Sequence, residues 1–191
     1  MSKVIYKITP DVRNYRTIFP DDENLCEPDL WKPNCQSKES VLLNFSAHYN
    51  QDTDTPIGDF SVINLMGLAV RDSVADELSD LFESSGELLP FTVDCDTWYY
   101  YNITKQVAGL LDLEKSTFMI PGPNIGLQKA VFLKDKLPKR SCIFKIAEDR
   151  FEGTYVLDSR ADDKDVMSNL FCAVQAHNFK GITFEEVARF D

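Results

Sequence analysis

LLPFTVDCDTWYYYNIT, residues 88–104, decides how the rest of the chain is read. Leu89, Phe91 and Val93 alternate with Pro90 and Thr92, the period-two pattern of a half-buried strand. DCDT (94–97) has the chemistry of a turn, and WYYYNI (98–103) has the β-propensity to return beside the first strand. The stretch therefore predicts a β-hairpin. On its second strand Trp98 and Tyr100 must point to one face and Tyr99 and Tyr101 to the other. Four aromatics in a row thus cannot form one stacking platform. They are expected to line the core, with room for one face to serve as an interface anchor, and Trp98 beside Asp96 is the candidate. Asp94 and Asp96 also raise the alternative of a metal-binding or acid–base carboxylate pair. No third ligand lies nearby in the sequence, so a turn is the preferred reading.

Outward from the hairpin, the pattern predicts strands at 4–9, 40–46, 129–133, 142–146, 154–158 and 182–187, and an apolar stretch at 60–70. Three helices are expected. The first begins at Ser73 as N-cap with Asp76 three residues on, and buries Val74, Leu78, Leu81 and Phe82 before stopping at Gly86. The second is KQVAGLLDLEK (105–115), capped by Thr104. The third runs from about Asp162 to His177. Residues 10–40 hold Pro10, Pro20, Pro28 and Pro33 and read as irregular chain anchored by Leu30 and Trp31. The expectation is a single α+β domain, mainly antiparallel sheet with two or three helices. Residues 1–57 form an irregular N-terminal segment or small lobe ahead of the body at 58–191.

With 43% hydrophobic and 27% charged residues in 191, the chain reads as an ordinary soluble protein with one substantial core. The sequence has no membrane span and no secretory signal, so a cytoplasmic location is expected. Five cysteines without a CxxC argue against a disulfide framework and a zinc site; only Cys26 and Cys35 are worth checking for a bridge. Charge is more informative. Residues 1–100 carry 7 Lys and Arg against 18 Asp and Glu, whereas residues 101–191 carry 13 of each. The whole acidic excess sits in the first half. It repels nucleic acid and anionic membrane and would steer a basic partner.

The search for chemistry is mostly negative. His48 and His177 have no local triad partners. DTDTPIGD (52–59) fails the calcium-loop pattern at Pro56, Ile57 and Ile63, and IPGPNIG (120–126) lacks the GK[ST] end of a phosphate loop. ADDKD (161–165) suits the positive start of a helix. No catalytic residue, metal ligand or cofactor is assigned.

LLPFTVDCDTWYYYNITKQVAGLLDLEKS (88–116) resembles the core signature of the Imm11-type immunity-protein family. The matching positions are Leu89-Pro90, Val93-Asp94, Tyr99-Tyr100, Asn102-Ile103-Thr104, Leu111-Asp112, Glu114, Lys115 and Ser116. KAVFLKDKLPKRSCIFKI, TYVLDSR and NFKGITFEEV follow in the family's order, and the resemblance spans roughly residues 58–190. STFMIPGPNIG departs from it, and residues 1–57 lie outside it. The resemblance implies a non-enzymatic protein that binds a cognate toxin, as in contact-dependent or type VI competition between bacteria. A basic toxin such as a nuclease would suit the acidic half. The expected partner-binding residues are Asp21, Asp22 and Glu23, the loop residues Asp52, Asp54 and Asp59, and Asp96 with Trp98. The alternatives are a carboxylate-dependent hydrolase built on Asp94 and Asp96, and a self-associating structural module that forms homo-oligomers.

Overall fold

In the computed structural model, which describes every residue except 1, 52, 53, 162 and 164, the chain forms thirteen strands. They are β1 (Lys3–Pro10), β2 (Ile18–Pro20), β3 (Phe45–Tyr49), β4 (Phe60–Ile63), β5 (Gly67–Arg71), β6 (Gly86–Val93), β7 (Asp96–Ile103), β8 (Gln106–Val107), β9 (Thr117–Ile120), β10 (Ile125–Lys129), β11 (Cys142–Ile146), β12 (Thr154–Asp158) and β13 (Ile182–Phe190). Four short α-helices accompany them, α1 (Pro28–Trp31), α2 (Asp72–Glu77), α3 (Ser79–Glu83) and α4 (Leu170–His177). Most strand pairs are antiparallel, and the fold is α+β.

The aromatic hairpin forms as expected, with Val93 opposite Asp96 and Asp94 in the left-handed region at φ 55°. It does not stand alone. β2, β3, β6, β7, β5 and β4 close into a six-stranded barrel. Closure needs a parallel contact between β2 and β4, where Ile18 meets Ile63, and it removes the free edges a sheet would otherwise expose. The alternation on β7 then places its two faces in different cores. Trp98 and Tyr100 fill the barrel with Ile18, Tyr49, Ala69 and Phe91. Tyr101 and Ile103 point outward, into a second core beneath the other sheet.

That sheet has the order β13-β1-β12-β11-β8. Its barrel-facing side contributes Val4, Tyr6, Ile8, Ile143 and Val156, which pack with Phe60 and Val70 of the barrel wall and with α2, α3 and α4. Its far side, with Ile5, Phe144, Tyr155 and Leu157, is covered by Leu110, Leu111 and Phe132 and by the β9–β10 hairpin. The first 57 residues are woven through both layers. β1 lies between β12 and β13, and β2 and β3 are barrel strands. Trp31, 1% exposed, plugs one barrel mouth with Leu42, and its indole N–H donates to the Leu25 carbonyl at 2.6 Å.

Several local expectations give way to tertiary partners. The helix predicted at 105–115 is absent. Gln106 and Val107 instead pair in parallel with Lys145 and Ile146, Gly109 sits at φ 69°, and Leu110 and Leu111 are both buried in extended chain. A glycine at the centre of a short candidate helix weakens it, and the open edge of β11 offers a better use for the same backbone groups. The strand predicted at 40–46 begins only at Phe45 and takes in His48 and Tyr49, because Asn44 turns at φ 55° and donates its N–H to Pro90. The helix predicted from Ser73 starts at Asp72 without a side-chain cap and breaks at Leu78 (φ −112°, ψ 21°). The offset lets Val74, Leu78, Leu81 and Phe82 all reach one core. The last helix begins at Leu170, where the Asn169 side chain accepts from the Cys172 N–H at 3.1 Å. Its expected start at Asp162 lies outside the described residues. At 129–133 only Lys129 is in a strand, and Phe132 makes a single bridge to Leu111.

Candidate functional site

The barrel ladder fixes where the acidic candidates stand. Asp21 follows β2, and its N–H donates to the Ser46 carbonyl at 2.9 Å. Asp96 opens β7. Pro20, Ala47, Val93 and Asp96 form one row across four strands, so Asp21 and Asp96 stand in adjacent rows but on its first and fourth strands, roughly 14 Å apart by strand spacing, Asp96 on the parity of Val93 and Asp21 on that of Ser46. The outward-facing residues between them, Ser46, His48, Thr92 and Thr97, are exposed. Among the described residues neither helix nor sheet covers this wall of the barrel. His48 Nδ1 lies 2.7 Å from the Asp21 carboxylate.

The other candidates divide. Asp22 caps a 3-10 turn at Glu23–Cys26 by accepting from the Asn24 N–H, with Glu23 exposed beside it. At the end of the barrel marked by the β6–β7 turn, Arg71 donates to Asp96 at 3.1 Å. The Arg71 N–H also donates to the Asp59 carbonyl. Asp59 is therefore a tie: its carboxylate accepts the Lys180 N–H at 2.7 Å, locking β4 to the turn before β13. Asp54 is exposed in the connection after β3, and Asp52 lies outside the described residues.

Trp98 must be corrected. Expected as an anchor on an aromatic edge, it is 0% exposed inside the barrel, where its indole N–H donates to the Tyr49 hydroxyl at 3.1 Å. Burial, the largest influence, pushes the Tyr49 phenol up from its ordinary pKa, and the Trp98 hydrogen bond opposes it. Strand parity read from the sequence separated the two aromatic pairs correctly, but an interior on both sides of a strand follows only from closure.

The remaining chemistry-bearing groups are structural. His177 pairs with Glu77 at 3.0 Å and stacks on Phe179. Asp158 is buried, and although burial raises its pKa, hydrogen bonds from Arg160 and Asn169 prevail and hold it below the usual carboxylate range. In the ADDKD stretch, Asp163 accepts from Ser141 at 2.6 Å and Asp165 caps the 3-10 turn at Val166–Ser168. All five cysteines are free. Among the described residues no cluster of three His, Cys, Asp or Glu could hold a metal ion, and no helix is long and apolar enough to cross a membrane.

Sequence reasoning passed over one further group. Lys145 on β11 is 8% exposed and lines a cleft of about 310 Å³ between the sheet and the barrel mouth that Trp31 plugs. Burial pushes its ammonium down to about 8. The alternation CIFKI, with a lysine in an apolar phase, was the available signal. No family model and no curated protein matches this chain.

Proposed function

We propose that this protein is a cytoplasmic immunity protein that binds and blocks a basic toxin domain, such as a nuclease, without catalysing a reaction. The observation that carries the reading is that Asp21 and Asp96 bracket an exposed four-strand stretch of the barrel wall, on its first and fourth strands, in the half of the chain that holds the whole acidic excess. Charges so placed raise the encounter rate with a cationic partner and can occlude the groove through which that partner holds its substrate. The resemblance of residues 88–116 to immunity proteins supports the same class. Asp22, Glu23 and Asp54 extend the charged field, whereas Asp59 and Trp98 act through the fold rather than by contact.

The test is a pull-down of the tagged protein from its native cell with partners identified by mass spectrometry, followed by association kinetics of wild type and Asp21→Lys/Asp96→Lys. One stoichiometric partner with a basic, toxic domain is expected. At low ionic strength the double variant should associate about tenfold more slowly, and co-production of the wild type should relieve the toxicity. Absence of a stoichiometric partner, or an on-rate untouched by reversing both charges, sinks the reading.

A further inference from the structure

The cleft beside the barrel has apolar walls and one buried charge. Ile8 of β1, Val62 of β4, Leu68 of β5, Ile103 of β7 and Ile182 of β13 line it. On β11 the side chains of Cys142, Phe144 and Ile146 serve the far core and Ile143 the barrel-facing core, so Lys145 shares the face of Ile143 and enters the cleft. Thr154, half-buried at the start of β12, adds a hydroxyl to the lining. The rim is the β4–β5 turn, where Leu65 is 73% and Met66 47% exposed.

Among the described residues no group completes this site. The Lys145 ammonium donates no hydrogen bond among the described residues; Asp149 and Lys7 act on it through charge alone, and Cys35 does so only when its thiol is ionised. The Asp149 carboxylate is committed to the Gly153 N–H at 2.9 Å and the Tyr155 hydroxyl at 2.8 Å. Burial, opposed by Lys145, pushes the Cys35 thiol up, so it stays neutral at neutral pH and supplies no counter-charge. Glu152, also in the lining, is exposed at the rim. Asn102 cannot turn to the cleft, since its side-chain amide donates to Gln36 and Glu87, each at 2.8 Å. An ammonium with only slight solvent contact and no hydrogen-bonded partner is costly, and an anion that brings its own charge relieves it.

We propose that the cleft binds a small amphipathic carboxylate, its head group on Lys145 Nζ and its apolar body along Ile8, Val62 and Leu68. Lys7 and Thr9 also border the cleft but share the strand parity of Ile5, on the far face of the sheet, so the Lys145 ammonium with the Thr154 hydroxyl suits a monoanion better than a phosphate dianion. Scaled from the roughly 150 Å³ cavity that takes benzene, the space holds a ligand of about a dozen non-hydrogen atoms. The exposed Leu65 and Met66 give an apolar tail its way in, and the flexible thioether can reshape around it. The site lies at the opposite end of β5 from Arg71 and Asp96, so ligand and protein partner would use separate surfaces.

Calorimetric titration of the whole protein with decanoate and with decan-1-ol, below the micellar range, tests the assignment. Wild type is expected to bind decanoate at least tenfold more tightly than the alcohol, and Lys145→Met to bind the two alike. No saturable binding, equal affinities in wild type, or a preference that survives in Lys145→Met would overturn it. Should that variant not fold, the Lys145 side-chain resonance in wild type gives the same answer. Decanoate must move its titration midpoint upward, because a neighbouring anion favours the charged amine; an unmoved midpoint rejects the site.

Discussion

Inside the barrel, Trp98, Tyr100, Tyr49 and Phe91 occupy the space between six short strands. At the Trp31-plugged mouth of the same barrel, where its wall turns toward the five-stranded sheet, a cleft stays open around Lys145. Both regions use β7, and both are walled largely by apolar side chains. They differ in what sets their width. A small barrel fixes its own diameter, so large aromatics on alternate positions can be matched to it. The gap between a curved barrel wall and a twisted sheet is set by two layers that do not share a curvature, and it need not close. Filled space here serves stability, and unfilled space is where a ligand finds room.

Trp98→Ala breaks the filled side of that comparison most severely. It empties the barrel centre and leaves the Tyr49 hydroxyl without its donor, and a loss of about 3 to 5 kcal/mol is expected in denaturant unfolding. If Trp98 were instead a surface anchor, the loss would be small.

The unfilled side is sharpened by Lys145→Met. Burial holds this lysine at about 8 in the folded protein against about 10.4 when unfolded. Between those values the unfolded state binds more protons, so wild-type stability rises with pH. Relative to Lys145→Met, wild type should gain on the order of 3 kcal/mol from pH 8 to 10.5. The difference between the two proteins is the readout, because the raised tyrosines and thiols titrate in both.

Gly181→Ala probes the joint between the layers. Gly181 sits at φ 95°, and a β-carbon there would lie 2.0 Å from the Phe60 carbonyl oxygen, beside the bonds that tie β4 to Lys180. A loss of about 2 to 3 kcal/mol is expected, read as a lower melting temperature.

The smallest effect on stability belongs to the acidic wall. Asp21→Lys/Asp96→Lys removes the exposed contact of Asp21 with His48 and the exposed ion pair of Asp96 with Arg71, and should change unfolding free energy by no more than about 1 kcal/mol. Its large effect should appear only in partner association. A strongly destabilised double variant would mean that these charges serve the barrel instead.

The sequence alone determined the elements whose pattern is local. Local strand patterns placed β1, β6, β7, β11, β12 and β13, and parity assigned Trp98 with Tyr100 and Tyr99 with Tyr101 to opposite faces. The charge count located the acidic half without any structure. Tertiary structure decided the rest. VAGLL has a helical spacing of apolar residues, yet the edge of β11 drew residues 106 and 107 into pairing and kept Leu110 and Leu111 extended. Barrel closure turned Trp98 from a candidate anchor into core and brought Asp21 and Asp96 to the two sides of one four-strand wall. Lys145 showed in the sequence only as a lysine in the apolar phase of CIFKI; it became notable when β11 lay against the barrel and left the residue 8% exposed. Alternation along a strand is a property of neighbouring residues, whereas closure, register and burial depend on segments far apart in the chain.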